Sequence, residues 1–138
     1  MAEGLAEDGI IHTIDINEEL EDRIRDYFAK AGLSEKIQLH IGNALEIIPQ
    51  LEEDWDLVFI DADKENYSNY YPLLIEKMKS GSYILADNVL WSGKVVEDYA
   101  TLDEETKAIV DYNAMVKEDE RVENVLFPIR DGSQIARV

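Results

Sequence analysis

A short apolar run at residues 57–60 constrains the fold of this chain more than any other segment. The run reads Leu-Val-Phe-Ile without a polar residue, which is typical of a parallel strand covered by helices on both faces. A second apolar run lies at 83–86, residues 10–14 are mostly apolar and β-branched, and residues 37–41 alternate apolar and polar side chains. Helical patterns separate these four segments, so the sequence predicts an open, mostly parallel α/β sheet.

The segments between the predicted strands have apolar residues at helical spacing. This pattern predicts helices over residues 20–31, 65–79 and 102–117, and a short helix that begins after Asn43. Pro72 lies inside the second of the long helices, where it predicts a kink or a late helix start.

The last part of the chain predicts a different kind of strand pairing. Residues 122–127 and 134–138 are strand-like and flank the turn at 130–133, so we expect them to pair as an antiparallel hairpin. The length of 138 residues suits one domain over residues 1–138.

The charge of the chain argues against several classes of partner. Lys and Arg number 13 and Asp and Glu number 31, which gives a formal net charge of −18. Such a chain repels phosphate backbones and anionic lipids, so we expect neither nucleic-acid nor membrane binding. We find no apolar run of the ~20 residues that span a bilayer, and no signal-peptide pattern in the first nine residues. The chain has no cysteine, which excludes thiol nucleophiles and agrees with a cytoplasmic protein.

Acidic residues follow three of the predicted strands. Asp15 ends the first strand, Asp61 and Asp63 follow the third, and Asp87 with Asn88 ends the fourth. Ligands of open α/β sheets bind beyond the carboxyl ends of the strands, so Asp61, Asp87 and Asn88 converge if the third and fourth strands are neighbours. Two carboxylates and an amide oxygen suit a hard cation such as Mg²⁺ or Ca²⁺. We therefore predict a divalent-metal site at this edge.

Several residues have both a functional and a structural interpretation. Asp15 is placed to accept hydrogen bonds from ribose hydroxyls, although aspartates after strands commonly cap helices. Lys64 is either a general base beside the predicted metal or a solvated lysine at a helix start. His12, in a predicted buried strand, is more typical of a hydrogen-bonded core residue than of a ligand. The tyrosines within residues 67–71 are expected to pack in the core.

Two segments resemble a known enzyme family. Residues 56–67 read Asp-Leu-Val-Phe-Ile-Asp-Ala-Asp-Lys-Glu-Asn-Tyr, and residues 84–95 read Ile-Leu-Ala-Asp-Asn-Val-Leu-Trp-Ser-Gly-Lys-Val. Together they are similar to the cation-dependent O-methyltransferases, the catechol and caffeoyl-CoA group of class I S-adenosylmethionine (SAM) enzymes. Residues 119–132 also resemble the closing segment of this family. The likeness extends over essentially the whole chain.

The resemblance implies both a fold and a reaction. The fold would be a Rossmann-like class I methyltransferase sheet, mostly parallel with a C-terminal antiparallel hairpin. The reaction would be metal-assisted methyl transfer from SAM to a hydroxyl of a vicinal diol, a catechol-like small molecule. Mg²⁺ is the expected cation, with Mn²⁺ and Ca²⁺ as alternatives. The cation would lower the pKa of the reacting hydroxyl, and the phenolate would attack the sulfonium methyl.

The resemblance also implies roles in the metal and acceptor site. Asp61, Asp87 and Asn88 would hold the divalent metal. Lys64 would be the catalytic base near the reacting hydroxyl, and Trp91 would belong to the loop that shapes the acceptor pocket.

A second group of positions matches the cofactor site of the family. Asp15 would bind the SAM ribose, Ile16 would lie beside the adenine, and Ala44 would sit at the adenine edge. Asp61 and Asp63 would lie near the cofactor as well.

In this family a glycine-rich loop holds the methionine part of SAM, and it precedes the residues that resemble 1–5 here. We therefore expect the first strand and the N-terminal helices of the fold to be missing from this chain. The resulting gap in the sheet would be closed by direct strand pairing or filled by another chain, as in a homodimer.

Two other functions compete with an active enzyme. A non-catalytic fragment would keep the metal-binding edge without holding SAM. A phosphoacceptor receiver domain would also place an aspartate such as Asp61 after a buried strand. Receiver domains need in addition an acidic pair after the first strand and a Lys-Pro after the fifth, and neither is visible here.

Overall fold

The strands form two sheets, each within its own structural unit. The computed structural model describes residues 1–138, which divide into the compact units Met1–Leu51 and Glu52–Val138. Two of the four strand pairings are parallel, and the two that involve the last strand are antiparallel, so the predicted mixture of parallel strands and a terminal hairpin is confirmed. No helix has both the length and the apolar character needed to cross a bilayer.

The first unit is built on two parallel strands. Strand β1 (Ile11–Asp15) pairs with β2 (Ile37–Ile41), and Asp15 is the register partner of Ile41. Helix α1 (Glu21–Lys30) joins the two strands. The short helix α2 (Ala44–Ile47) follows β2, and the side chain of its N-cap, Asn43, accepts a hydrogen bond from the Leu45 amide as expected.

The second unit contains a four-stranded sheet. The strands are β3 (Trp55–Ile60), β4 (Met78–Asp87), β5 (Glu123–Phe127) and β6 (Ser133–Arg137), and their order in the sheet is β3-β4-β6-β5. Strands β3 and β4 are parallel, and β6 is antiparallel to both β4 and β5. Strands β3 and β4 are therefore adjacent, which is the condition that the predicted metal site requires, and the predicted C-terminal hairpin forms.

Helix α3 is shorter than the sequence pattern predicts. We expected a helix over 65–79, but α3 covers Tyr67–Ile75 after a 3₁₀ turn at Lys64–Asn66. Its predicted last residues belong instead to β4, because Met78 pairs with Trp55 of β3. Strand pairing thus overrides local helix propensity at this end. Helix α4 (Glu104–Glu118) follows the expected pattern.

The two faces of the four-stranded sheet are covered very differently. Residues pointing to one face are buried, among them Ile84, Ala86 and Ala136 with at most 1% exposure. The opposite face carries large apolar side chains that remain 41–49% exposed, namely Leu57, Phe59, Tyr83, Val125 and Phe127. The register pairs Leu57 with Tyr83 and so confirms that these side chains share one face. The core of this unit therefore lies on the other side of the sheet.

Helices α3 and α4 supply aromatic side chains to that core. Tyr67 and Tyr71 of α3 meet Tyr112 of α4 edge-to-face, with ring centroids 5.4 and 6.0 Å apart. All three rings are at most 1% exposed. Edge-to-face pairs of this kind add stabilisation beyond the burial of area, so the tyrosines fix the position of α3 on α4.

The N-terminus of α4 carries the first prediction. Three hydrogen bonds lower the pKa of the Asp103 carboxyl to about 2. In order of their effect, the donors are the Thr106 hydroxyl, the Thr106 amide and Lys94. Because the folded-state pKa lies below the unfolded value, this stabilisation is full above about pH 4 and fades as the pH falls toward 2. We expect Asp103→Ala to lower the melting temperature at pH 7. The gap in melting temperature between the variant and wild type should narrow as the pH falls from 4 to 2.5. A gap that stays constant across this range would contradict the prediction.

Candidate functional site

The carboxyl ends of β3 and β4 bring the predicted metal ligands to one place. The parallel register pairs Ile60 with Ala86, so the next residues along each strand, Asp61 and Asp87, lie side by side. Neighbouring strands are about 4.8 Å apart. Asn88 follows Asp87 and has a φ of 61°, a left-handed backbone conformation that asparagine tolerates better than most residues. Three oxygen-bearing side chains thus follow two adjacent strand ends, as the sequence predicts.

Asp87 is held by a residue of the hairpin. Its Oδ1 accepts a hydrogen bond from Ser133 Oγ at 3.1 Å, and Asp87 and Ser133 are register partners in the β4–β6 ladder. This contact limits the rotation of the Asp87 carboxylate and leaves its second oxygen, Oδ2, to face other partners. Sequence reasoning missed Ser133, because only the antiparallel register reveals that it faces Asp87.

Lys64 lies buried next to these acidic residues. Its side chain is only 9% exposed, so the alternative of a solvated lysine is wrong. The Nζ atom lies 3.4 Å from Asp61 Oδ1, 2.5 Å from the Tyr67 hydroxyl and 5.9 Å from the centre of the Trp91 ring. A buried amine requires such partners because removing its polar nitrogen from water is costly. The structure therefore places Lys64 and Trp91 together beside Asp61.

The Tyr67 hydroxyl connects Lys64 to both strand ends. It lies 3.2 Å from the Ile60 carbonyl oxygen and 3.1 Å from the Asp87 carbonyl oxygen. Burial, followed by the negative charge of Asp61, raises the pKa of Tyr67 well above its usual value near 10. The hydroxyl thus keeps its proton. The expectation that this tyrosine packs in the core is correct but incomplete, and the available signal was its spacing of three residues from Lys64, which places both on one helical face.

Asp63 has partners of its own at the start of α3. One carboxylate oxygen accepts a hydrogen bond from the Tyr70 hydroxyl, and the other accepts one from the Asn66 amide. Burial and the hydrogen bond to Asp63 raise the pKa of Tyr70. Asp63 therefore anchors the first turn of α3, close in sequence to the Lys64 and Asp61 pair.

The loop that carries Trp91 is fastened to the hairpin turn. The amides of Val89 and Leu90 donate to the carbonyl oxygens of Gly132 and Asp131 at 3.0 Å each. The Asp131 carboxylate accepts a further hydrogen bond from the Ser92 amide at 2.5 Å. The loop after β4 thus has a defined path, which includes a 3₁₀ segment from Trp91 to Val96.

The predicted cofactor residues of the first unit also gather at one strand edge. Asp15 ends β1, and its backbone carbonyl accepts a hydrogen bond from the Gly42 amide at 2.9 Å, just before Ala44 begins α2. The Asp15 carboxylate accepts a hydrogen bond from the Asn17 amide at 2.8 Å. Ile16 is 74% exposed, which is unusual for a large apolar side chain beside a strand end. The structure thus brings Asp15, Ile16 and Ala44 to the carboxyl edge of β1 and β2.

His12 forms a pair that the sequence did not reveal. Its Nδ1 lies 3.0 Å from His40 Nε2, and the two rings stack with centroids 5.2 Å apart. The expectation of a hydrogen-bonded histidine is correct. Its partner comes from the neighbouring strand β2, at a separation of 28 residues, and only the parallel pairing brings the two together.

The donor chemistry at the β3–β4 edge fits a hard divalent cation. Nowhere in the chain do three or more imidazole, thiol or carboxylate groups form a metal cluster. The donors at this edge are two carboxylates and one amide oxygen, from Asp61, Asp87 and Asn88. Oxygen donors of this kind match Mg²⁺, Mn²⁺ or Ca²⁺ rather than zinc or copper.

Comparison with known proteins identifies the family of this chain. A family model described as O-methyltransferase matches residues 1–138. The chain belongs to this O-methyltransferase family. The family assignment agrees with the resemblance of the strand-end motifs and excludes the receiver-domain alternative.

Two curated relatives of this O-methyltransferase chain are plant proteins. It is 37% identical over 147 residues to caffeoyl-CoA O-methyltransferase 2 of Populus trichocarpa, covering 96% of this chain and 58% of the relative. It is 38% identical over 146 residues to caffeoyl-CoA O-methyltransferase 1 of Eucalyptus globulus, with the same shares covered. The chain thus spans less than two thirds of the length of these relatives.

Solved structures of bacterial O-methyltransferases have the same fold. A putative O-methyltransferase from Klebsiella pneumoniae superposes with a TM-score of 0.92 at 27% identity, covering 100% of this chain and 66% of that one. An O-methyltransferase from Bacillus cereus, solved in complex with SAH, gives a TM-score of 0.91 at 27% identity, with 99% and 66% covered. These neighbours confirm the Rossmann-like class I methyltransferase fold.

Gly132 carries a prediction for the loop beside this site. Its φ is +78°, and an added Cβ would lie 2.5 Å from Leu90 Cγ. Gly81 has a similar φ of +89° but open space around it. We expect Gly81→Ala to lower the free energy of unfolding by about 1 kcal/mol through backbone strain. Gly132→Ala should lower it by about 2–4 kcal/mol, because the clash adds to the strain. Urea unfolding of both variants measures the difference, and equal losses would contradict the role of the Leu90 contact.

Proposed function

We propose that this chain carries the metal and acceptor site of a SAM-dependent O-methyltransferase that acts on a vicinal-diol, catechol-like small molecule. The observation that carries the proposal is the meeting of Asp61, Asp87 and Asn88 at two adjacent strand ends beside the buried Lys64. Membership of the O-methyltransferase family supplies the reaction class. The caffeoyl-CoA O-methyltransferases among its relatives support an aromatic diol as the acceptor class.

The proposed metal ligands are Asp61, Asp87 and Asn88. The Asp61 side chain is 54% exposed, so it can be reached from solution, and Ser133 orients the Asp87 carboxylate. A bound Mg²⁺, Mn²⁺ or Ca²⁺ would supply Lewis acidity that lowers the pKa of an acceptor hydroxyl. The two carboxylates would neutralise part of the charge of the cation and fix the position of the cation relative to Lys64.

Lys64 is the proposed base. Its Nζ is held between the Tyr67 hydroxyl and Asp61, so it has a fixed position next to the proposed ligands. A base held in this way needs little reorganisation to receive the acceptor proton. The Trp91 ring, near Lys64 Nζ, offers an apolar surface against which an aromatic acceptor can pack. Trp91 is therefore the proposed acceptor-binding residue.

The proposed cofactor residues are Asp15, Ile16, Ala44, Asp61 and Asp63. One carboxylate oxygen of Asp15 accepts a hydrogen bond from the Asn17 amide. The other oxygen is suited to accept a hydrogen bond from a ribose hydroxyl. The exposed Ile16 and the Ala44 methyl offer apolar contacts for an adenine ring. SAM would supply the methyl group, and the support for this cofactor includes the solved relative in complex with SAH.

The activity of the whole protein, its homodimeric state and its cytoplasmic location are parts of the same proposal. The competing possibility is a non-catalytic fragment that keeps the metal-binding edge. The observation that favours it is the share of the relatives that the chain spans, 58% for the Populus enzyme.

Methyl transfer by the purified chain tests the proposed activity. With SAM, Mg²⁺ and a catechol as acceptor, we expect formation of S-adenosylhomocysteine that stops when the metal is chelated. Lys64→Met keeps the length of the side chain but removes its amine, and we expect it to lower kcat by about 10²-fold or more. Calorimetry with SAM separates the two possibilities. The fragment alternative predicts no SAM binding and no turnover in the wild-type chain.

Metal affinity tests the proposed ligands without any turnover. Asp87→Asn removes one negative charge but keeps an oxygen that can accept from Ser133. We expect this variant to bind Mn²⁺ about tenfold or more weakly, since loss of a ligand costs at least as much as loss of a residue that orients one. Asp54→Asn, at an exposed position, removes the same charge as a matched control. Equal Mn²⁺ affinities of the two variants, measured by electron paramagnetic resonance, would contradict the assignment of Asp87.

A further inference from the structure

We propose that Tyr67 is a positioning residue, whose hydroxyl fixes the Nζ atom of Lys64 relative to the two strand ends that carry Asp61 and Asp87. The proposal deepens the proposed function and rests on it for the role of Lys64. Its geometric content can be tested independently of that role.

The first support is the set of partners around the Tyr67 hydroxyl. Lys64 Nζ lies 2.5 Å away, the Ile60 carbonyl oxygen 3.2 Å away and the Asp87 carbonyl oxygen 3.1 Å away. These partners come from the 3₁₀ turn that precedes α3, the end of β3 and the end of β4. One hydroxyl therefore connects all three elements that form the candidate site.

The second support is the direction of each hydrogen bond. A hydroxyl has one proton and two lone pairs. Carbonyl oxygens only accept, so the Tyr67 proton is directed to Ile60 and Asp87. A lone pair then remains for Lys64, which is the donor in the shortest of the three contacts. The hydroxyl thus links a lysine donor to two carbonyl acceptors, an arrangement in which phenylalanine could take no part.

The third support is the fixed position of the tyrosine ring. Tyr67 is 0% exposed, and Tyr112 of α4 packs edge-to-face against it with ring centroids 5.4 Å apart. Such packing restricts displacement of the ring, so the hydroxyl oxygen at its end cannot follow a displaced lysine. The consequence is that Lys64 Nζ is held at a position set by α4 and the sheet rather than by its own flexible stem.

The test compares two identical substitutions on α3. Tyr67→Phe removes the hydroxyl that contacts Lys64. Tyr71→Phe removes a hydroxyl that is equally buried but donates to Asp119 at 3.0 Å, and it serves as the matched control. Competitive acylation with acetic anhydride, followed by mass spectrometry, measures the reactivity of Lys64 relative to the more exposed Lys79.

We expect Tyr67→Phe to raise the relative reactivity of Lys64 about threefold or more, because the amine loses its shortest hydrogen bond and gains freedom to reach the reagent. Tyr71→Phe should leave it within a factor of 1.5 or so of wild type. An unchanged Lys64 reactivity in folded Tyr67→Phe would overturn the proposal. An equal rise in both variants would do the same, because it would show general loosening of α3.

Turnover adds a readout that a purely structural role would not change. In an active preparation we expect Tyr67→Phe to lower kcat about tenfold with KM within about twofold, since the base loses its position while the metal ligands stay. If the wild-type chain shows no turnover but the acylation result holds, the proposed function fails and the positioning by Tyr67 stands. Normal kcat in Tyr67→Phe together with unchanged acylation would leave the proposed function intact and remove the role of Tyr67.

A second measurement covers a Tyr67→Phe variant that does not fold. In the wild-type chain labelled with ¹⁵N-lysine, a hydrogen-bonded and buried Lys64 amine exchanges its protons slowly with water and gives a visible resonance. An exposed amine such as that of Lys79 exchanges about tenfold or more faster. Equal exchange rates for the two lysines would overturn the proposal.

Discussion

The parallel pairing of β3 with β4 is the constraint on which the candidate site depends. Its register sets Ile60 beside Ala86, and the residues that follow, Asp61 and Asp87, are brought together only for that reason. Two carboxylates so close repel each other, and the arrangement is tolerable because a cation or hydrogen-bond donors offset the repulsion. Lys64 and Ser133 provide such donors. A shift of register by one residue would separate the carboxylates and turn one of them to the opposite face.

The interior face of the sheet and the site are connected through aromatic side chains. Tyr67 belongs to the core by its burial and to the site by its hydroxyl, and Tyr112 links it to α4. In the middle of α3, Tyr71 donates to Asp119, which is also paired with Arg121. Hydrogen bonds that the Arg121 side chain donates to Asp119 are the main reason that the pKa of Asp119 lies well below its usual range. The same helix is thus fixed to its surroundings by two tyrosine hydroxyls, one from its first residue and one from its middle.

Local pattern was enough to predict the strands, the hairpin and the oxygen donors at the strand ends. Apolar runs identify buried strands directly, and Asp61, Asp87 and Asn88 follow two of them. Long-range pairing was not accessible in the same way. The contact of Ser133 with Asp87 spans 46 residues, and His12 meets His40 across two strands. The predicted C-terminal end of α3 was wrong for a related reason, since Met78 lies in β4 and pairs with Trp55. The burial of Lys64 could not be predicted from the sequence either, because it depends on where Tyr67 lies in the folded chain.

The uncovered apolar face of the four-stranded sheet gives the acidic composition a physical meaning. Side chains such as Phe59 and Val125 are about half exposed there, and apolar surface of this kind favours association between molecules. A net charge of −18 opposes this, because each molecule repels its copies over a distance of about 10 Å at 0.1 M salt. The colloidal behaviour of the chain is therefore a balance of the two, and added salt shifts it toward association by shortening the range of the repulsion.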